Sequence, residues 1–267
     1  MFKDKVLLIT GGTGSFGNAV LKRFLETDIK EIRIFSRDEK KQDDMRKKYQ
    51  SSKLKFYIGD VRDYNSVLNA TRGVDYIYHA AALKQVPSCE FHPMQAVRTN
   101  VLGTENLLQA IARHAPAVRK VILASSATVY GNQGLEVLDE SLMPRPANHY
   151  GISKLAMECV AAHFYNRMPI VITRPFNYTG PGQPEHFLVP KIVAHFKQRK
   201  PVIELGNLNV AREFNDVDFA CDIYTKLLKT EAAGVVVNLC SGKGIKLLDI
   251  ISMMNEIAGY EIEIKVN

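Results

Sequence analysis

Tyr150 and Lys154 stand four residues apart at the start of a helical run, so both side chains project from one face of that helix. A phenol with a free pKa of ~10 is a poor proton shuttle near neutrality, but an ammonium group beside it favours the phenolate. Such a pair can pass a proton to or from a substrate oxygen. Ser126 follows the apolar strand Val121–Ala124 and is placed to hydrogen-bond the same oxygen and hold it in line. Each residue alone has an ordinary reading, because Tyr and Lys meet at this spacing by chance and a serine after a strand usually caps or turns. Their order in one chain gives the set its weight.

A redox partner for that proton is implied near the N-terminus. Val6–Ile9 is a short buried strand, the chain then turns through Gly11, Gly12, Gly14 and Gly17, and Ala19–Leu25 is an amphipathic run. The spacing Gly12-x-Gly14-x-x-Gly17 between a strand and a helix is the dinucleotide fingerprint. Positions without side chains allow a tight turn, a close approach of pyrophosphate to the helix N-terminus, and helix-on-strand packing. A nicotinamide cation held near Tyr150 would favour the phenolate further, and a hydride could move as the proton moves. A second strand, Glu31–Phe35, ends in Ser36-Arg37-Asp38, where an arginine accommodates the 2′-phosphate of NADP and an acidic residue favours the 2′-hydroxyl of NAD. Arg37, backed by Lys40 and Lys41, favours NADP, with NAD as the alternative and Asp38 as a plain helix cap.

The remaining strands position these groups. Leu54–Ile58 runs into Gly59-Asp60-Val61, and Tyr76–His79 runs into Ala80-Ala81-Ala82, whose small side chains let backbone lie against a dinucleotide. A helical run from about Met94 to His114 carries Asn100 and stops at Pro116. A helix reaches from Tyr150 to about Arg167, and a strand, Ile170–Thr173, precedes Arg174-Pro175. Strands alternating with helices predict an α/β protein, a doubly wound parallel sheet of the Rossmann kind, over residues 1–175. Residues 176–267 are expected to form a small C-terminal substrate-binding lobe. It holds helices at Val189–Gln198 and Asp218–Thr230, a strand near 235–239 that returns to the main sheet, and a last strand at Val266–Asn267.

The totals narrow the classes. Apolar content of 46% and charged content of 24% are those of an ordinary globular protein. The net charge of +7 is scattered, and the densest basic stretch, Lys40–Lys48, is interleaved with Asp43 and Asp44, so no nucleic-acid partner is expected. Four cysteines, Cys89, Cys159, Cys221 and Cys240, lack metal or disulfide spacing, which implies reduced thiols in the cytoplasm and no metal site. With no signal peptide and no apolar run near ~18 residues, neither export nor a membrane contact is expected.

TGGTGSFG, the serine after the fifth strand and YGISK together resemble the extended short-chain dehydrogenase/reductase family, in particular its NAD-dependent epimerase/dehydratase members that modify nucleotide-diphosphate sugars. The resemblance implies that Tyr150 is the acid/base, that Lys154 lowers its pKa and binds the nicotinamide ribose, and that Ser126 assists and touches substrate. It further implies cofactor contacts at Gly11, Thr13, Gly14, Ser15, Phe16, Gly17, Ser36, Arg37, Asp38, Lys41, Asp60, Val61, Ala80, Ala81, Ala82, Lys84, Asn100 and Pro175. Substrate contacts are implied at Asn177, Val189 and Arg212, the last a guanidinium suited to a diphosphate.

Two branches of that family share the chain. Residues 1–110, with IFSRDEKKQDDMRKKY and HAAALKQVPSCEFHP, resemble inverting UDP-N-acetylglucosamine 4,6-dehydratases. From residue 111, ASSATVYG, TRPFNYTGPGQ and NLCSGKG resemble GDP-4-keto-6-deoxy-D-mannose reductases, a pattern that a mosaic of two relatives would produce. A dehydratase of this superfamily is expected to carry an Asp-Glu or Asp-Lys pair after the catalytic serine or threonine, as a further acid and base, where Ala127 and Thr128 stand. The expectation is therefore an NADP-dependent enzyme acting at C4 of a nucleotide sugar, first a reductase. A UDP-sugar 4-epimerase or a 4,6-dehydratase is the alternative, and a catalytically idle dinucleotide-binding scaffold the second alternative. A homodimer built on the helical runs Met94–His114 and Gly151–Arg167 is expected from the same resemblance.

Overall fold

A computed structural model describes residues 1–266. The chain forms two compact units, Met1–Pro175 with Cys221–Leu239, and Phe176–Ala220 with the described residues from Cys240 on. In the first unit six strands follow one another: β1 (Val6–Thr10), β2 (Glu31–Ser36), β3 (Leu54–Ile58), β4 (Tyr76–His79), β5 (Lys120–Ala124) and β6 (Ile170–Pro175). Their order across the sheet is β3-β2-β1-β4-β5-β6, with Val235–Leu239 added outside β6, and every pairing is parallel. This is the Rossmann order, and it reverses between β1 and β4, where ligands bind at the C-terminal strand ends of such sheets. β1 is buried at all five positions, as a central parallel strand covered on both faces must be.

The helices follow from caps and apolar faces. α1 (Ser15–Leu25) turns Phe16, Val20, Leu21 and Phe24 inward. α2 (Glu39–Tyr49) starts where the Asp38 carboxylate accepts the Lys41 N–H, and α3 (Tyr64–Thr71) where Asp63 accepts the Asn65 and Ser66 N–H groups. The helical run expected as unbroken from Met94 to His114 is a series of pieces. Pro93–Ala96 is one short turn, Val97–Leu102 a π-helix, and only Gly103–His114 a regular α-helix. The widened turn sets Asn100 facing inward, with its side chain held between Leu83 and Ser153. Apolar periodicity does not register such a bulge, because one extra residue per turn shifts the pattern by little over so short a length.

The second unit has its own core of Ile192, Phe196, Ile203, Leu205, Leu247, Ile250, Ile251 and Ile262. Val202–Leu205 pairs in parallel with Glu263–Val266, and two-residue ladders join Tyr178–Thr179 to Asn215–Asp216 and Ala211–Arg212 to Ile245–Lys246. Ladders this short have no alternation for a sequence to display. The last strand, expected at Val266–Asn267, runs from Glu263 to Val266, and Asn267 lies outside the described residues. Among the described residues no helix is long and apolar enough to cross a membrane. All four cysteines are free, and among the described residues no cluster of His, Cys, Asp or Glu could hold a metal ion.

Candidate active site

The glycine turn is shaped by backbone contact. Gly11 has φ +68°, and a Cβ there would stand 2.8 Å from the Ala81 nitrogen and 2.9 Å from the Ala80 carbonyl, so β1 and β4 approach as closely as two chains can. A Cβ on Gly17 would run into the Gly12 backbone. Gly14, by contrast, meets only the Gly11 carbonyl oxygen at 3.5 Å. It caps α1 in extended geometry with no side-chain acceptor, and no acidic residue occupies the first turn. The first turn of α1 therefore carries neither a side-chain cap nor a negative charge, which is what a pyrophosphate requires. A dinucleotide fits this cradle on that ground.

At the tips of β2 and β3, Thr13 Oγ1 bonds the Ser36 hydroxyl at 2.9 Å. Asp60 accepts from Arg62 through both oxygens, Nε to Oδ1 at 3.0 Å and Nη2 to Oδ2 at 2.6 Å, and Arg37 approaches it at 3.5 Å. Burial tends to raise the Asp60 pKa, but the hydrogen bonds and charge of Arg62, helped by Arg37, outweigh it and hold the carboxyl below its usual range. Asp38 and Lys41 pair with each other at 3.1 Å, and Asp38 serves as the cap of α2. Phe16 is buried and its ring packs against Tyr224 at 4.7 Å, so its side chain is core and only its backbone faces the turn.

Beneath the turn lies a polar chain that the sequence reading missed. The Ala81 N–H donates to Thr10 Oγ1, 3.3 Å away, and Thr10 lies 2.7 Å from His79 Nδ1; His79 Nε2 lies 3.0 Å from Thr104 Oγ1, which donates to the Asn100 carbonyl at 2.7 Å. Because the Thr104 proton is committed to that carbonyl, its oxygen accepts from His79 Nε2–H, and Nδ1 accepts from Thr10. Burial and the nearby Lys154 hold His79 neutral, with its pKa pulled down to about 3. A polar residue at the end of an otherwise apolar strand was the available signal.

The residues expected to act as acid and base lie at the end of β5. The helix His149–Ala162 is capped by Asn148, which accepts the Gly151 N–H at 2.8 Å, and its first turn carries Tyr150. Ser126 caps the short 3-10 turn Ala127–Tyr130 and donates to Thr128 Oγ1 at 2.9 Å. Burial pushes the Tyr150 phenol up to about 12, although its hydrogen bond with Ser126 pulls the other way. Lys154 is 3% exposed and its Nζ donates to the Ala124 carbonyl at 2.6 Å. Burial brings its pKa down to about 8, against the opposing pull of Glu158. The structure thus brings together Ser126, Tyr150 and Lys154, and it ties Asn100 to them through Ser153, whose hydroxyl donates to the Tyr150 carbonyl at 2.8 Å. The Asn100 side chain is taken up by these internal bonds. Lys84 lies on the segment after β4 and is exposed, while desolvation around its ammonium lowers its pKa.

Val61 is buried with its carbonyl bonded to Asn106, and Ala80–Ala82 follow β4 beside Gly11. Pro175 ends β6. Asn177, Val189 and Arg212, expected at the substrate, belong to the second unit, on the segment after β6, the helix Leu188–Lys197 and a two-residue ladder. Glu158, Arg174 and Tyr130 were not singled out from sequence. Glu158, four residues after Lys154 on one helix face, was the legible signal.

Residues 7–240 match the model of the NAD dependent epimerase/dehydratase family. A UDP-glucose 4-epimerase of Rickettsia canadensis (strain McKiel) is 57% identical over 165 residues, which are 60% of this chain and 44% of that one. The chain spans less than half the length of the curated relatives it matches. Among solved structures, an unconfirmed epimerase from Burkholderia cenocepacia J2315 is 34% identical with TM-score 0.89, covering 100% of this chain and 85% of its own. UDP-glucuronic acid 4-epimerase of Bacillus cereus, solved with UDP-glucuronic acid and NAD, is 25% identical with TM-score 0.85, covering 98% and 85%.

Proposed function

The chain belongs to the NAD-dependent epimerase/dehydratase family, and on that premise we propose that it inverts the C4 hydroxyl of a UDP-sugar. The observation that carries this reading is the Ser126–Tyr150–Lys154 corner, with Ala127 and Thr128 in place of the Asp-Glu or Asp-Lys pair that would serve as the further acid and base for loss of water. The similarity to UDP-sugar 4-epimerases moves the reading from the reductase expected on motif grounds to the epimerase.

The nicotinamide of a dinucleotide cradled by Gly11, Gly14, Gly17 and the α1 amides supplies a hydride acceptor and donor when bound. The protein moves the proton. Tyr150 Oη takes the C4 hydroxyl proton and returns it when the oxygen is again an alcohol, while Ser126 Oγ bonds that oxygen and fixes its direction. Lys154, buried and next to the Ala124 carbonyl, supplies the positive charge that makes a phenolate affordable in a site where burial alone holds the phenol protonated. Asn177, Val189 and Arg212 grip the sugar nucleotide in this reading, with Arg212 on the diphosphate. Arg37 makes NADP the favoured cofactor. A homodimer is part of the proposal: Phe91, Met94, Leu102 and Ile152 are exposed on helical segments of the first unit that pack against one another.

The test is incubation of the purified protein with UDP-glucose, UDP-N-acetylglucosamine or UDP-glucuronic acid, following sugar configuration by NMR, nicotinamide absorbance, and mass by light scattering. Interconversion of C4 epimers without net change at the nicotinamide band is the expected result. Stoichiometric oxidation of NADPH on a 4-keto sugar, with no epimer formed, restores the reductase and ends this reading. A monomeric mass removes the dimer.

A further inference from the structure

Two successive residues at the end of β5 are held by two successive turns of one helix. The Ala124 carbonyl receives Lys154 Nζ at 2.6 Å, and the Ser125 hydroxyl donates to Glu158 Oε1. Lys154 and Glu158 are an i, i+4 pair on the helix His149–Ala162, and both are buried. Glu158 is in turn gripped by Arg174 of β6, Nη2 to Oε2 at 2.6 Å and Nε to Oε1 at 3.1 Å, with side chains 6% exposed on both partners. Arg174 also donates to the Tyr130 hydroxyl at 3.0 Å and lies over that ring at 4.9 Å, and Tyr130 donates to Asn238 Oδ1 at 2.8 Å. Every polar end of this group is bonded, as a buried charge pair requires. The segment it fixes is the one that ends in Ser126.

We infer that Glu158, locked by Arg174, is a positioning residue: it sets the strand end Ala124–Ser126 against the catalytic helix and supplies the counter-charge that keeps the buried Lys154 an ammonium. The groups facing Lys154 support this. Tyr150 and Glu158 share its helix, Cys89 faces it from Val86–Phe91, and Lys84 and His79 from the end of β4. Lys84 opposes the charge on Lys154, Arg174 brings a second cation on the far side of Glu158, and His79 is neutral, so Glu158 is the permanent anion among them. What the ammonium does for Tyr150 rests on the proposed function. The counter-charge itself does not, and it is measured without turnover.

The experiment is a pH titration of the Lys154 side chain by NMR in protein carrying 13Cε-lysine, with the resonance assigned by Lys154→Met. In Glu158→Gln the midpoint should fall by about one pH unit or more, a ~10-fold easier deprotonation. Arg174→Lys keeps the charge pair while losing the forked geometry, so it should lower thermal stability and leave the midpoint near that of the parent. If Glu158→Gln does not fold, Arg174→Gln, which leaves the Glu158 charge without its ion-pair partner, should move the midpoint the other way, upward. A midpoint unchanged in whichever of these two variants folds overturns the inference and leaves Glu158 a structural residue. Turnover measured beside it separates the two readings. A shifted midpoint in a protein that epimerises no sugar retires the proposed function and keeps this inference.

Discussion

The glycine turn and the acid/base corner belong to one unit yet are built from opposite materials. At the turn, side chains are excluded: Gly11 and Gly17 have no room for a Cβ, and α1 starts without a side-chain cap. At the corner, side chains carry the functional groups, and two of them are held by residues distant in the sequence, Lys154 by the Ala124 backbone carbonyl and Glu158 by the side chains of Ser125 and Arg174. A site made of backbone tolerates almost no added atom. A site made of polar side chains tolerates changes of shape better than changes of charge or hydrogen-bonding capacity.

That contrast can be broken at three points. Tyr150→Phe keeps the ring and removes the proton carrier, so turnover should fall ~10²–10⁴-fold while the melting temperature stays close to that of the parent. A variant with full turnover would show that the corner is not where the chemistry occurs. Gly17→Ala should behave in the opposite way. Its added methyl meets the Gly12 backbone, so about 1–3 kcal/mol of stability is lost, and calorimetry should show dinucleotide binding weakened with it. Unchanged melting and unchanged binding would mean that the turn has slack. The smallest effect is expected at Arg37, which is exposed and only 3.5 Å from Asp60. Arg37→Ala should cut the preference for NADP over NAD by about 10-fold, the ~1.4 kcal/mol of a charge-assisted contact, with no change in stability. Equal loss of affinity for both dinucleotides would point to a general electrostatic role instead.

Much of the fold was legible because it is written in local pattern. Val6–Ile9, Leu54–Ile58, Tyr76–His79 and Val235–Leu239 read as strands since each is a short apolar run bounded by turn residues. The helix at Tyr150 was legible in outline, but it runs His149–Ala162 behind an Asn148 cap and stops short of the expected Arg167. The π-helix at Val97–Leu102 was not legible, nor were the two-residue ladders of the second unit. Both are too short for a period to emerge. Phe16, Asp38 and Asn100, expected at the cofactor, have side chains engaged within the protein, in an aromatic cluster, a helix cap and a backbone clamp. A residue type tells what a side chain can bond but not which neighbour reaches it first.

By itself, then, the sequence determined the order of strands and helices, the glycine turn that leaves α1 open to an anion, and the helical spacing that puts Tyr150, Lys154 and Glu158 on one face. These depend on residues within a few positions of one another. Only the tertiary structure decided that Ser125 and Arg174 converge on Glu158, that His79 is held as a single neutral tautomer between Thr10 and Thr104, and that burial moves Tyr150 and Lys154 in opposite directions. The reason is that desolvation and charge pairing depend on which side chains the folded sheet brings within hydrogen-bond reach, and residues far apart in the chain have no spacing to announce it.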